Sequence, residues 1–206
     1  LLNDYSGSPK VLSQAIDVHL ADGFDCRLLV GSGGNGFLNK YKAISTEFIY
    51  RRGSNRIVTL LFYLLSQISV FLKILKMSDR NTLLYVNTML PFGAGLAGLI
   101  KGIPVIYHIH ETSITPTLLK KFLKKVIAIS SKKNIYVSKY LMEGEPVGFN
   151  NDVVYNTIDS GYIERGALSS NTVDGKFNVF MACSLKAYKG VDEFMAIAQE
   201  CNGRSI

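Results

Sequence analysis

Apolar positions along the chain fall into two alternating patterns. Short runs rich in β-branched and aromatic residues, at 27–30, 47–50, 83–87, 105–110, 134–137, 153–156 and 178–183, predict strands. Longer stretches with apolar residues at three- and four-residue spacing, at 9–21, 55–76, 94–101, 116–129, 139–142 and 191–200, predict helices. Most of the strand runs are apolar at consecutive positions, the mark of strands covered on both faces. Parallel sheets with helical crossovers are built from such strands. The predicted fold class is therefore α/β, with a doubly wound, Rossmann-like, mostly parallel sheet. The polar, aperiodic stretch 163–176 predicts a break. We expect a larger domain over 1–165, a linker over 166–176, and the first strand and helix of a second domain over 177–206.

The run from 57 to 77 is long enough to be weighed as a membrane span. Ser66, Gln67, Ser69, Lys73 and Lys76 interrupt it, and a central Lys costs about 2.5–3.5 kcal/mol on insertion scales. The expectation is a mostly buried helix of a soluble fold. Three cysteines, Cys26, Cys183 and Cys201, are odd in number and show no Cys-x-x-Cys spacing, which argues against a disulfide framework or a zinc cage. A reducing, cytoplasmic setting fits that usage. The chain starts at Leu1 and ends soon after a helical pattern, so both ends read as cut.

Net charge is +7, and its distribution is uneven. Residues 101–140 hold eight Lys against one acidic residue, Glu111. Within them, Lys120, Lys121, Lys124 and Lys125 line a basic amphipathic helix. A solvated face is the ordinary reading of such a run; an anionic membrane surface is the partner it would otherwise fit. Nucleic acid is not expected, because no aromatic interleaving or recognised motif accompanies the lysines.

In open α/β sheets ligands bind beyond the carboxyl ends of the strands. The segment 3–10 is small, polar and leads into a helix with Pro9 near its start, so Gly7 and Ser8 stand at a helix N-terminus suited to phosphate. The plain alternative is a helix start capped by Ser8. Residues 31–36 match G-x-G-x-x-G, but no helix follows at once, and Arg51 and Arg52 stand where an acidic ribose partner would be sought. A mobile loop at the sheet edge is the expectation there. The strand at 105–110 ends in His108, His110 and Glu111, with both histidines on one face. A His-x-His pair can bind metal, but the remaining histidine, His19, is remote in sequence and no acidic cluster joins them. No metal is expected; His108 reads as a core histidine and His110 as the one placed to meet substrate.

Three segments carry a resemblance: 83–88 (LLYVNT), 93–98 (GAGLAG) and 101–111 (KGIPVIYHIHE). Together they resemble the amino-terminal domain of GT-B glycosyltransferases, specifically the family 4, group 1 enzymes. Residues 134–140 (NIYVSKY) resemble that family's next strand and helix start. Residues 154–159 (VYNTID) resemble its turn into the second domain, with Thr157 replacing the usual glycine. Residues 180–192 (FMACSLKAYKGVD) resemble the first strand and loop of its donor-binding domain.

The resemblance implies a retaining transfer of a sugar from a nucleotide-diphosphate donor to a saccharide or lipid-linked acceptor, in cell-surface polysaccharide synthesis. It implies no cofactor beyond the donor, with cations and helix N-termini meeting the diphosphate. His110 matches the family histidine beside the transferred sugar. Gly7 and Ser8 match the loop near the diphosphate, and Lys189 matches the lysine of the "K-G" pair facing it. Asn87, Thr88 and Glu111 join the substrate-binding set at the strand ends. Ser184 stands where the family's arginine is usual, so Lys186 is the candidate substitute. No E-x7-E motif follows within 206 residues, so this stretch is expected to lack a complete active site. Two alternatives stay open: a noncatalytic acceptor- or membrane-binding module, and a GT-B-like epimerase. The expected location is the cytoplasm, peripheral on the membrane's inner face where the basic helix would engage it.

Overall fold

A computed structural model describes residues 3–51, 53–111, 114–158, 160–168, 179–183, 185 and 189–203. The chain forms an α/β fold in two compact units, 1–157 and 158–206. In the first unit, α1 (Gly7–Ala21) leads to β1 (Leu28–Gly31), a 3-10 helix (Phe37–Ile44) and β2 (Ser45–Phe48). Then come α2 (Arg56–Met77), β3 (Leu84–Asn87), α3 (Phe92–Lys101), β4 (Val105–Ile109) and α4 (Thr117–Ser130). β5 (Lys133–Tyr136), α5 (Lys139–Gly144) and β6 (Asn151–Val153) complete it. All strand pairings are parallel.

The expected single sheet is found as two: a pair, β1-β2, and a four-stranded sheet in the order β3-β4-β5-β6. Side-chain packing takes the place of a shared ladder, since Phe48 of β2 lies in the same core cluster as Val70, Ile74 and Val86. β4 is interior to its sheet, and Val105, Tyr107 and Ile109 are fully shielded from solvent. That burial explains its unbroken apolar run.

α3 lies against the sheet through a face of small residues, Gly93, Ala94, Ala97 and Gly98, all buried. It packs on α2 on one side and α4 on the other. Gly102 stops it in the left-handed conformation (φ 67°), where the Cβ of other residues is strained. The first turn of α3 is held by α2: Gly93 N–H donates to Gln67 Oε1 at 3.1 Å.

Two expectations for the first unit need correction. The run 57–77 does form a helix, but only 28% of its most apolar window is buried. Its protein-facing side is short and carries Tyr63, Ser66 and Gln67, so the leucines are left outside. The glycine-rich 31–36 loop is packed and not loose at an edge. Gly34 and Gly36 lie so close to the Asn3–Asp4 backbone that a Cβ would come within 2.5 Å of Asn3 O and 2.3 Å of Asp4. Asn3 fixes this arrangement, accepting from Leu38 N–H at 3.0 Å and donating to Asn39 Oδ1 at 2.7 Å.

In the second unit, α6 (Ser160–Leu168) and α7 (Val191–Gly203) are helical, so helix replaces the first half of the expected 163–176 break. The division between units falls after Thr157, ahead of the expected boundary. Residues 179–183 form no strand, because none of the described residues of this unit offers a backbone ladder.

Candidate functional site

The parallel register sets Asn87 of β3 beside His108 of β4. One residue further on, Thr88 N–H donates to His108 O at 2.8 Å. The carboxyl ends of β3 and β4 thus deliver Asn87, Thr88, His108, His110 and Glu111 to one place. α1 joins them there, since Asn87 Nδ2 donates to Ser8 O at 3.1 Å. The helix begins two residues earlier than expected: Ser6 is its N-cap and Ser8 lies within the first turn. Asp4 Oδ1 accepts from Ser6 N–H at 3.0 Å and Ser6 Oγ at 2.5 Å, which shapes the entry. The first-turn N–H groups of an α-helix lack carbonyl partners and give that end a positive field; Gly7 and Ser8 occupy those positions.

His110 Nε2 lies 2.9 Å from Asn87 Oδ1. Ser8 O can only accept, so the Asn87 amide nitrogen must face it and its oxygen must face the imidazole. Nε2 of His110 therefore carries the proton, and Nδ1 keeps a lone pair. Burial, with the neighbouring His108 adding to it, pushes the His110 pKa down to about 4. The ring is neutral at pH 7, an acceptor at Nδ1 and a donor at Nε2.

His108 is buried as the core reading expects. Its Nδ1 is 2.5 Å from Tyr85 Oη, and burial pushes the Tyr85 pKa up to about 12, so the phenol keeps its proton and donates it. His108 Nε2 then holds the ring's own proton, and it has no partner among the described residues. The two imidazoles lie 4.3 Å apart between centroids. Burial lowers the His108 pKa to about 4 as well, and a pair of adjacent neutral rings results. Among the described residues no group of three or more His, Cys, Asp or Glu side chains is arranged to hold a metal ion.

Thr88 is in the left-handed region, φ 81°. For a β-branched residue this is a true outlier, with a cost of about 1–3 kcal/mol, and such strain gathers at functional sites. Two bonds enforce it: Thr88 N–H to His108 O, and Met89 N–H to Glu111 Oε2 at 3.1 Å. The same Glu111 oxygen accepts from His110 N–H at 3.3 Å. Burial raises the Glu111 pKa while these N–H donors oppose it. Glu111 thus pins the turn after β3 to the end of β4.

Gly7, Ser8, Asn87, Thr88, His110 and Glu111 come together in the first unit. Lys189 belongs to the second unit, exposed just before α7; Lys186 and Ser184 lie outside the described residues. Sequence reading missed Tyr85 and the role of His108. The available signal was the alternation in β3, which puts Tyr85 and Asn87 on one face, toward the histidines. Comparison of the chain with protein-family models, with curated proteins and with solved structures finds no match. What stands is an α/β protein of parallel sheets with a polar cluster at the carboxyl ends of two adjacent strands.

Proposed function

We propose that the protein is a retaining glycosyltransferase of the GT-B type, moving a sugar from a nucleotide-diphosphate donor to a hydroxyl of a saccharide or lipid-linked saccharide. The observation that carries this reading is the chain His110–Asn87–Ser8. It orients a neutral imidazole at a strand's carboxyl end and ties it to the first turn of α1. The sequence resemblance, running in family order over most of the chain, supplies the reaction class.

In the proposed reaction the bond between the anomeric carbon and the diphosphate oxygen breaks. The acceptor oxygen bonds to that carbon on the same face, and the acceptor's proton leaves with the diphosphate. Negative charge growing on the diphosphate is met by the N–H groups of Gly7 and Ser8 and the field of α1. Lys189, with Lys186, adds the cations that the resemblance assigns to this task. His110 Nδ1 accepts from a hydroxyl of the transferred sugar and positions it; it is not a nucleophile. Asn87 and Glu111 hold His110 and the Thr88 turn in place.

The test is a screen of UDP-, GDP- and ADP-sugars against the full-length protein by thermal shift and by release of free sugar. One nucleotide family should stabilise it, by about 2.7 kcal/mol at a hundredfold excess over Kd. Lys189→Ala should weaken that shift, and His110→Ala should cut sugar release with a smaller change in binding. If no nucleotide sugar shifts the melt or is hydrolysed, the assignment fails.

A further inference from the structure

We infer that the layer of helices α2, α3 and α4 is a docking face for an anionic lipid bilayer, with the outer stripe of α2 as the part that enters it. This goes beyond the proposed transfer reaction and does not depend on it. α2 buries a narrow side, on which Val70 and Ile74 join the apolar core and the other three buried residues carry polar groups. Its buried side carries Tyr63, Ser66 and Gln67, and each is engaged: Tyr63 Oη donates to Leu90 O at 2.6 Å, Ser66 Oγ to Tyr63 O at 2.6 Å, and Gln67 Oε1 accepts from Gly93. Its outer side presents Ile57, Leu61, Leu64, Leu65, Ile68 and Leu72, each between 41% and 72% exposed. At 100° per residue these six span an arc of about 100° without a charge. The bond between Gln67 and Gly93, with that from Tyr63 to Leu90 just ahead of α3, fixes α2 against α3, so it lies along a surface and does not cross a bilayer as a free span.

The choice of occupant rests on charge. α2, α3 and α4 together hold eight of the chain's 23 basic residues and none of its 16 acidic ones. The remaining residues carry 15 basic against 16 acidic side chains, so the whole excess sits on this layer. Two copies of such a face repel each other, whereas an anionic surface is attracted, by about 1 kcal/mol for each basic residue near it. α3 links the layer through its packing on both neighbours, with Phe92 in edge contact with Tyr63 and Phe122 at 5.9 and 5.1 Å. On α4 the expectation for four lysines is refined: Lys120 and Lys124 pair with Glu145. Lys121 and Lys125 stand exposed beside Leu118 and Phe122.

The test is co-sedimentation with phosphatidylcholine vesicles, with and without phosphatidylglycerol, at low and high salt. The chain has no tryptophan, so Leu65→Trp gives a single fluorescent reporter on the stripe. Wild type should sediment with the anionic vesicles only, the more so at low salt, and the Trp emission should shift to the blue with them. Lys121→Gln/Lys125→Gln should weaken partitioning by about 25-fold, at about fivefold for each charge. Leu61→Ser/Ile68→Ser should abolish the attachment while its melt and circular dichroism stay those of wild type. No sedimentation with anionic vesicles at low salt overturns the inference, as does attachment without a Trp shift. A stripe-dependent dimer seen by light scattering, with vesicle binding unchanged in Leu61→Ser/Ile68→Ser, overturns it in favour of a second copy.

Discussion

Acidification from pH 7 to about pH 5 should weaken this fold through its two strand-end histidines. In the folded chain both rings titrate near 4, held down by burial; in the unfolded chain they return to 6.5. A pKa depressed in the folded state means that the unfolded chain binds protons first as pH falls, so stability is lost between about 6.5 and 4. At pH 5 the difference amounts to about 2 kcal/mol for each ring. His110 is only partly enclosed, so its share is reduced by solvent screening and the pair contributes about 3 kcal/mol. Glu111 works in the opposite sense. Its carboxyl is raised by burial, so its contribution is largest when protonated and falls as pH rises, which offsets part of the histidine effect. Asp17 and Glu145 are lowered below their ordinary values, Asp17 by bonds to Lys40 and Tyr41 that outweigh its burial and Glu145 first by Lys120, and they lose their contributions only at more acid pH.

The assay is urea unfolding followed by circular dichroism at pH 5, 6 and 7, for wild type and for His108→Gln/His110→Gln. Glutamine at 108 can still accept from the Tyr85 phenol, and it has no proton to gain in this range. The stability difference between pH 7 and pH 5 should shrink by about 3 kcal/mol in the double variant. In Glu111→Gln it should grow instead. If wild type and the double variant lose stability in parallel over this interval, the two rings are not held neutral by the fold and the reading of the site as a desolvated pair is refuted.

Two further outcomes follow from backbone geometry. Gly36→Ala should cost about 2 kcal/mol or more, because its Cβ would meet the Asp4 backbone at 2.3 Å and backbone cannot step aside as a side-chain end can; a thermal melt checks this, and an unchanged melt would mean that the segment before α1 is not docked on the loop. Thr88→Gly should relieve the left-handed strain and leave stability equal or up to about 1 kcal/mol higher despite the lost side chain; a loss above about 1 kcal/mol in urea titration would show that no strain is stored there.

Six of the helices are legible because apolar repeats carry their own period, and each lands within three residues of its expected bounds; α6 and the 3-10 helix, which lack such a repeat, are not. Strand bounds shift by up to three residues; β2 is set by pairing with β1 through Leu28–Ser45, which no local pattern discloses. The described residues 179–183 of one expected strand show the limit, since an apolar segment becomes a strand only where another backbone completes its ladder. The site divides in the same way. His110 and Glu111 announce themselves as polar residues ending an apolar strand. The bond from Asn87 to His110 joins residues 23 apart, and the one from Asn87 to Ser8 joins residues 79 apart. Only the parallel register brings them together, and a tautomer set by such bonds cannot be read along a chain.

α2 shows why the same hydropathy pattern can point the wrong way. Read alone, Ser66, Gln67 and Ser69 look like interruptions that spoil an apolar helix, and the leucines look like the core face. In the fold the order is reversed, because Gln67 is needed at the start of α3, where a helix offers an unpaired N–H and has no side-chain cap of its own at Pro91. Meeting that need turns residues 63, 66, 67, 70 and 74 inward, and helical geometry then forces 57, 61, 64, 68 and 72 outward. The exposed stripe is thus the other side of a buried polar requirement. Replacing Gln67 with Leu would remove the cap without changing the outward stripe, so stability should fall by about 1–3 kcal/mol for the unmet N–H. Vesicle attachment of the remaining folded protein should stay that of wild type. Loss of attachment with the fold intact would show that the stripe is not what the bilayer meets.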